Sequence, residues 1–478
     1  MKKYIIALGI FSGIVSCSDD YYDSLNVDQT NPSDVPASFL VTSATTSLFD
    51  QMTSTNVNIN VFRFFSQYFT TTTYLDEPNY DLNTRNINGN HWNELYTDVL
   101  FDLKDAKTKV QDDATLTDAQ RNNQLAVIEI LEVYAWQVLV DTFGDVPYSQ
   151  ALQSLDNVFP AYDDAATIYS DLISRITSAI NMINTSEGGF GSDDIIYNDD
   201  MAAWKKAAAS LKLRIGVQLS DVNPSLAQST ISEAVSAGVF TSNADSFIIQ
   251  YLSATPYSNP VYDDLVLSGR LDFLPANTIV DYMNPLNDPR RPKYFEQNLG
   301  EGVYTGGVYG LSNSYDSYTH LGEILHTATT PGILIDYTEV EFLLAEAAIK
   351  GLSVPGTAES HYNAGILASM EYWGVDATEA SAYLAQPSVA YATAPGTPKE
   401  KLAKQFWLAM FNRGFEGWNV WRRLDAPTLN IAAQSGDPVP TRYTYPLSEA
   451  TLNGVNYNAA ASAIGGDNLT TKLFWDVN

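Results

Sequence analysis

Residues 125–140 read Leu-Ala-Val-Ile-Glu-Ile-Leu-Glu-Val-Tyr-Ala-Trp-Gln-Val-Leu-Val, a helix-length run that is apolar on almost every side. A helix without a polar face must be enclosed, either by other helices or by lipid. Glu129 and Glu132 argue against lipid, so the run demands a larger helical body around it. Thr117-Asp118-Ala119-Gln120 ahead of it fits a capping box, with Thr at the cap and Gln three residues on. The same periodicity recurs along the chain. Met201, Trp204, Ala208, Leu211, Ile215 and Leu219 fall at steps of three and four, and Asn223-Pro224 stops that helix. Tyr337, Val340, Leu344 and Ala347 precede Gly351; Tyr362, Ile366, Met370 and Trp373 precede Gly374; Leu402, Phe406, Met410 and Arg413 lead to Gly414. The helices near 336–350 and 358–373 are joined by a short Gly/Pro-containing loop, an αα-hairpin of about tetratricopeptide length. Between the helices, segments 68–90, 240–330 and 415–478 are rich in Asn, Asp, Gly, Thr and Tyr and read as long functional loops. The expected fold is mainly α: tetratricopeptide-like hairpins forming a superhelical scaffold, packed with long irregular loops.

The charge balance narrows function. The 478 residues carry 26 Lys+Arg against 56 Asp+Glu, a formal charge of -30. This disfavours nucleic acid, whose binding needs clustered cations, and adsorption to anionic lipid. A single cysteine excludes an intramolecular disulfide and a Cys-based zinc site. The four histidines are His91, His320, His326 and His361. His320, Glu323 and His326 are three apart, which on a helix separates the two imidazoles, unlike a zincin pair. No metal is therefore assigned; a structural calcium on loop aspartates stays open, although no EF-hand pattern is present. No nucleophile elbow, His-Glu-x-x-His or phosphate loop occurs. Carboxylate pairs for glycoside hydrolysis are too numerous to mean anything without geometry, so a surface glycoside hydrolase is an alternative of a different class. A passive repeat scaffold is another, but it leaves the tyrosine-rich loops unexplained.

The N-terminal residues speak to location. Met1-Lys2-Lys3 is a basic start, and Tyr4 to Val15 is an uncharged, mostly apolar run. It is shorter than the ~20 residues that span a bilayer and has the length of a signal-peptide core. The sole cysteine, Cys17, follows Ile14-Val15-Ser16 and resembles a bacterial lipobox, in which the thiol takes a diacylglycerol and becomes the mature N-terminus. Two or more acyl chains anchor durably where one does not. The acidic Ser18-Asp19-Asp20-Tyr21-Tyr22-Asp23 resembles a surface-export signal of Gram-negative lipoproteins. The expected organisation is a signal peptide over 1–16, the lipid-anchor cysteine with an acidic tether over 17–35, and one helical domain over 36–478.

Several ordered strings resemble the SusD/RagB family, specifically its SusD-like second branch. They are Leu25-Asn26-Val27-Asp28 with Asn31-Pro32, Asp141-Thr142-Phe143-Gly144-Asp145-Val146-Pro147-Tyr148, Leu211-Lys212-Leu213-Arg214 with Asp221-Val222-Asn223-Pro224, and Asn287-Asp288-Pro289-Arg290-Arg291-Pro292. The Glu339-to-Ala347 helix, Gly414-Phe415-Glu416-Gly417-Trp418-Asn419-Val420-Trp421-Arg422-Arg423, Arg442-Tyr443-Thr444-Tyr445-Pro446 and Trp475-Asp476-Val477 complete the set. The resemblance implies helix pairs cradling an irregular ligand-binding half, anchored on the outer face of the outer membrane. It also implies pairing with a SusC-like TonB-dependent transporter, capture of an oligosaccharide or sometimes a peptide, and no catalysis.

Sugars present C–H faces that pack on aromatic rings, and hydroxyls that need amide and carboxylate partners. Two loop regions offer that mixture. One carries Tyr74, Asp76, Tyr80 and Asn83; the other carries Tyr304, Tyr309, Asn313, Tyr315 and Tyr318. These are the candidate ligand contacts. Trp92, Trp136, Trp204 and Trp373 are expected in the core. Trp418 and Trp421, with Arg422 and Arg423, are expected to fix a buried loop, and Asp288 with Arg290 to form a structural ion pair.

Overall fold

A computed structural model describes residues 35–477; the leader, Cys17 and the tether through residue 34 lie outside the described residues. Ten long helices carry the scaffold: α1 (Ala37–Thr53), α2 (Phe101–Asp112), α3 (Asp118–Phe143), α4 (Ala165–Met182), α5 (Met201–Gln218), α6 (Pro224–Ala237), α7 (Tyr337–Ile349), α8 (Ala358–Tyr372), α9 (Pro398–Ala409) and α10 (Gly414–Leu424). They pack in sequential pairs, α1 with α2, α3 with α4, α5 with α6, α7 with α8 and α9 with α10, and the last three pairs are hairpins with short connections. None of the described helices is long and apolar enough to cross a membrane.

The central helix behaves as its composition requires. Gln120 N donates to Thr117 Oγ1 and Thr117 N to Gln120 Oε1, both at 3.2 Å, so the capping box forms. Every residue of α3 from Ala126 to Phe143 is buried, enclosed by α1, α2, α4 and α5. Each such Leu, Ile or Val contributes about 1.5–3 kcal/mol relative to exposure. Trp92, Trp136, Trp204 and Trp373 are all in the core. Asp288 and Arg290 are wholly buried and paired at 2.7 Å.

One segment departs from the sequence reading. Residues 414–424 form α10, so Trp418 and Trp421 stand on a helix instead of a loop. Gly414 and Gly417 look like loop formers, yet here their missing side chains let α10 abut the preceding aromatic segment. A Cβ at Gly417 would lie 2.2 Å from Tyr68 Oη, and one at Gly414 would lie 2.5 Å from Arg63 N. Further on, Leu447–Leu452 and Gly454–Ala463 are also helical within the stretch read as loop.

Two buried polar clusters tie the hairpins together. Glu339 on α7 accepts from Arg214 Nε at 2.6 Å and Nη2 at 2.8 Å, and from Arg413. Arg413 also reaches Asp336 at 3.0 Å, and Glu416 at 3.4 Å. The Leu334 carbonyl accepts from Arg214 and Arg413, each at 2.7 Å. Two turns along, Glu346 accepts from Arg423 Nε at 2.8 Å and Nη2 at 2.9 Å, with Lys350 at 2.9 Å. The second cluster gathers the chain ends. Asp141 Oδ1 accepts from Trp475 Nε1 at 2.9 Å and Tyr169 Oη at 2.5 Å. Arg422 donates to the Asp141 and Thr441 carbonyls, each at 2.8 Å. Its guanidinium lies 3.4 Å from the centroid of the Trp418 ring and 4.8 Å from that of Trp475.

Three two-stranded antiparallel sheets pin the loops: β1 (Phe69–Thr71) with β5 (Phe273–Pro275), β2 (Val146–Pro147) with β3 (Tyr162–Asp163), and β4 (Phe247–Ile249) with β6 (Gly332–Ile335). In the first, Phe69 faces Pro275 and Thr71 faces Phe273. That pairing joins the 68–90 segment to the 240–330 segment, some thirty residues ahead of the second candidate loop.

Burial pushes the Glu346 carboxyl up, but Arg423 and Lys350 outweigh burial and hold it at about 2, below its ordinary 4.5. A depressed folded pKa stabilises above the unfolded value, and the benefit fades as pH falls toward the folded one. Glu346→Gln is expected to cost about 3 kcal/mol at neutral pH. Urea unfolding should show the gap to the parent narrowing from pH 4.5 downward to pH 2. A gap independent of pH would contradict this account.

Candidate ligand-binding face

The loop 302–320 hangs on β5. Gly307 N donates to Pro275 O at 2.9 Å, and Asn277 N to Gly307 O at 2.7 Å. From there it crosses to the 68–90 loop. Asn313 is the clamp: its amide donates to Thr71 O at 2.9 Å and Leu311 O at 2.7 Å, and its oxygen accepts from Val308 N at 2.8 Å. Ser312 Oγ donates to Thr72 O at 2.6 Å, and Asn79 Nδ2 to Gly310 O at 3.1 Å. A third strand of chain joins through Ser435 N to Asn79 Oδ1 at 2.9 Å and Ala433 N to Tyr309 O at 3.1 Å. The two candidate loops are thus one hydrogen-bonded unit.

The nine candidate residues divide by burial. Tyr80, Tyr304, Tyr309 and Asn313 are buried. Tyr309 Oη donates to Phe64 O at 2.8 Å, and its ring lies 6.2 Å from that of Tyr80. Tyr80 Oη accepts from Gln67 Nε2 at 3.3 Å. Tyr304 packs on Phe295 at 5.9 Å, beneath Arg291. These four hold the loops on the body. Tyr74, Asp76 and Asn83 are exposed, and Tyr315 and Tyr318 are half-buried. Tyr315 stacks on His320 with centroids 3.9 Å apart, and His320 Nδ1 meets Glu296 Oε2 at 3.0 Å. Tyr318 O accepts from Asn298 Nδ2 at 2.9 Å.

Tyr74 is the most open of the aromatic candidates, at 50% exposure. Its backbone is left-handed, with φ 55°. The guanidiniums of Arg85 and Arg270 lie 5.3 and 5.0 Å from its ring centroid. The three residues line a cavity of about 270 Å³ with Thr55, Asn58 and Asp264 in its wall. Glu77, fully buried, pairs with Arg85, and Asp272 pairs with Arg270. Asp264 Oδ2 accepts from Thr55 Oγ1 at 2.9 Å. Burial raises the carboxyls of both Glu77 and Asp264 above their ordinary values. Arg85 and Arg270 were not among the sequence candidates, which were drawn from aromatic, amide and carboxylate residues. Their signal was present in the two loop segments. Among the described residues, no group of three His, Cys, Asp or Glu is arranged to hold a metal ion.

Asn313→Ala removes the whole clamp and leaves buried carbonyls unpaired, at about 1–3 kcal/mol. Limited proteolysis read by mass spectrometry should show new cuts within 302–320 at temperatures where the helices remain intact. An unchanged cleavage map would show that the clamp is dispensable.

The model of the SusD-like_2 family, described as starch-binding and associating with the outer membrane, matches residues 29–446. Comparison with curated proteins found no match. Among solved structures, a chitin-binding protein shares 28% identity, with a TM-score of 0.79 over 92% of this chain and 100% of its own. A chitin-binding SusD homologue from Flavobacterium johnsoniae shares 25% identity, with a TM-score of 0.78 over 92% of this chain and 99% of its own. A Bacteroidetes AC2a SusD-like protein, at 22% identity, shares the fold with a TM-score of 0.80 over 93% of this chain and 100% of its own. With the helical hairpins in place and the family model spanning nearly the whole sequence, the chain belongs to the SusD-like_2 branch of the SusD/RagB family.

Proposed function

We propose that this protein is a lipid-anchored nutrient-binding protein of the outer membrane, facing the cell exterior. It captures oligosaccharides and passes them, uncleaved, to a SusC-like TonB-dependent transporter. The observation that carries this reading is the fusion of two tyrosine- and amide-rich loops into one face, with Tyr74 half-exposed at a polar cavity. The outer-membrane and starch-binding description of the family, and the chitin-binding descriptions of two similar structures, point the same way. On this reading Tyr74, Asp76 and Asn83 meet ligand from one loop and Tyr315 and Tyr318 from the other. Tyr80, Tyr304, Tyr309 and Asn313 set the loops' shape. Residues 1–16 act as a cleaved leader, and Cys17 carries the lipid at the head of the tether.

A sugar stacked on an aromatic ring gains about 0.5–1.5 kcal/mol beyond area burial. Two or three such contacts with hydrogen bonds give dissociation constants of roughly micromolar to millimolar. Weak capture suits a protein that must release its cargo inward.

Isothermal titration with malto- and chito-oligosaccharides tests capture. Tyr74→Ala should weaken the binding by about fivefold with no change in melting temperature. Turnover of the sugars on incubation would favour the hydrolase instead, and binding of peptides alone would redirect the reading to peptide uptake. Cys17→Ala should move the protein from the membrane fraction to the soluble one; retention on the outer membrane would refute the anchor.

A further inference from the structure

We propose that the cavity beside Tyr74 selects neutral sugars and rejects uronate- or sulfate-bearing ones; this rests on the glycan-capture reading above. Two arginines at a sugar site suggest at first an anionic ligand, because guanidinium groups bind carboxylate and sulfate in a fork. Here each guanidinium already faces a carboxylate that offsets its charge. Arg85 Nε is engaged by Glu77, and Arg270 Nε by Asp272. Asp264 adds a third carboxylate, whose partner is the Thr55 hydroxyl at 2.9 Å. The wall therefore holds two cations against three anions, within a chain of formal charge -30. An acidic sugar entering it meets net repulsion. The guanidiniums instead stand over the Tyr74 ring, 5.3 and 5.0 Å from its centroid, and hold an aromatic surface in place. The remaining wall groups include Asn56, Asn58, Thr73 and Ser268. Asn58 Nδ2 donates to Asn56 Oδ1 at 2.8 Å and Ser268 Oγ to Asp264 O at 2.6 Å, and the donors and lone pairs these uncharged groups keep suit sugar hydroxyls and acetamido groups.

Isothermal titration of the mature protein with maltohexaose, chitohexaose, a galacturonate hexamer and a sulfated hexamer tests this at low salt, where charge effects are largest. One of the neutral hexamers should bind at least about tenfold more tightly than either acidic one. Asp272→Asn, which unmasks Arg270, should shift the neutral-to-galacturonate affinity ratio toward the acid by about tenfold. Tighter binding of an acidic hexamer than of both neutral ones, lost in Arg270→Gln, would overturn the inference while leaving glycan capture intact. So would neutral binding that is indifferent to Tyr74→Ala, since the sugar would then sit elsewhere. No binding of any hexamer would remove the capture reading, and this inference with it.

Discussion

The carboxylate of Glu339, shared by Arg214 and Arg413, is the interaction on which the scaffold turns. Its members come from α5, from α7 and from Arg413, the residue that precedes α10 as its N-cap. Every partner is buried. Desolvating such charges costs several kcal/mol per ion, and the loss is offset only when each partner is present with good geometry. The cluster therefore acts as a test of correct assembly. A hairpin docked one turn out of place would bury an uncompensated charge, so the hydrophobic surfaces of α3, α5 and α7 are held in one register.

The second cluster does the same for the chain ends. Asp141, at the end of α3, collects Tyr169 from α4, the carbonyl contact of Arg422 from α10, and Trp475 near the C-terminus. The aromatic layer around it includes Phe62 stacked with Trp418 at 5.5 Å and with Tyr443 at 5.1 Å. Phe62 begins the segment that leads directly into β1. The candidate face is thus continuous with the polar and aromatic core and does not sit on it as a separate flap.

Much of the scaffold was legible in the sequence because helix periodicity and caps are local. The Thr117–Gln120 box and the stops at Gly351 and Gly374 depend on neighbours three or four residues away. The family-like strings around Arg214, Glu339, Gly414 and Trp475 were visible as strings; that they converge in two clusters is a property of the folded chain alone. α10 was misread because Gly414 and Gly417 carry no sign of whether their missing Cβ serves a turn or a close approach. The candidate face was half legible. Composition picks out loops rich in Tyr and Asn, but it cannot separate Tyr309, whose hydroxyl is spent on Phe64 O, from Tyr74, which stands in solvent. Arg85 and Arg270 were missed because nothing local shows that the chain folds residues 185 positions apart onto the same Tyr74 ring.

The division between buried and exposed tyrosines has a consequence for divergence. Tyr80, Tyr304 and Tyr309 form the foundation of the loops, while Tyr74 and its neighbours form a rim that contributes little to holding them. Changes on the rim leave what lies beneath in place, since a surface grafted on a stable frame varies independently of it. Substitutions at Tyr74, Asp76 or Asn83 therefore reshape the outer face without disturbing the packing of Tyr80, Tyr304 and Tyr309 beneath it.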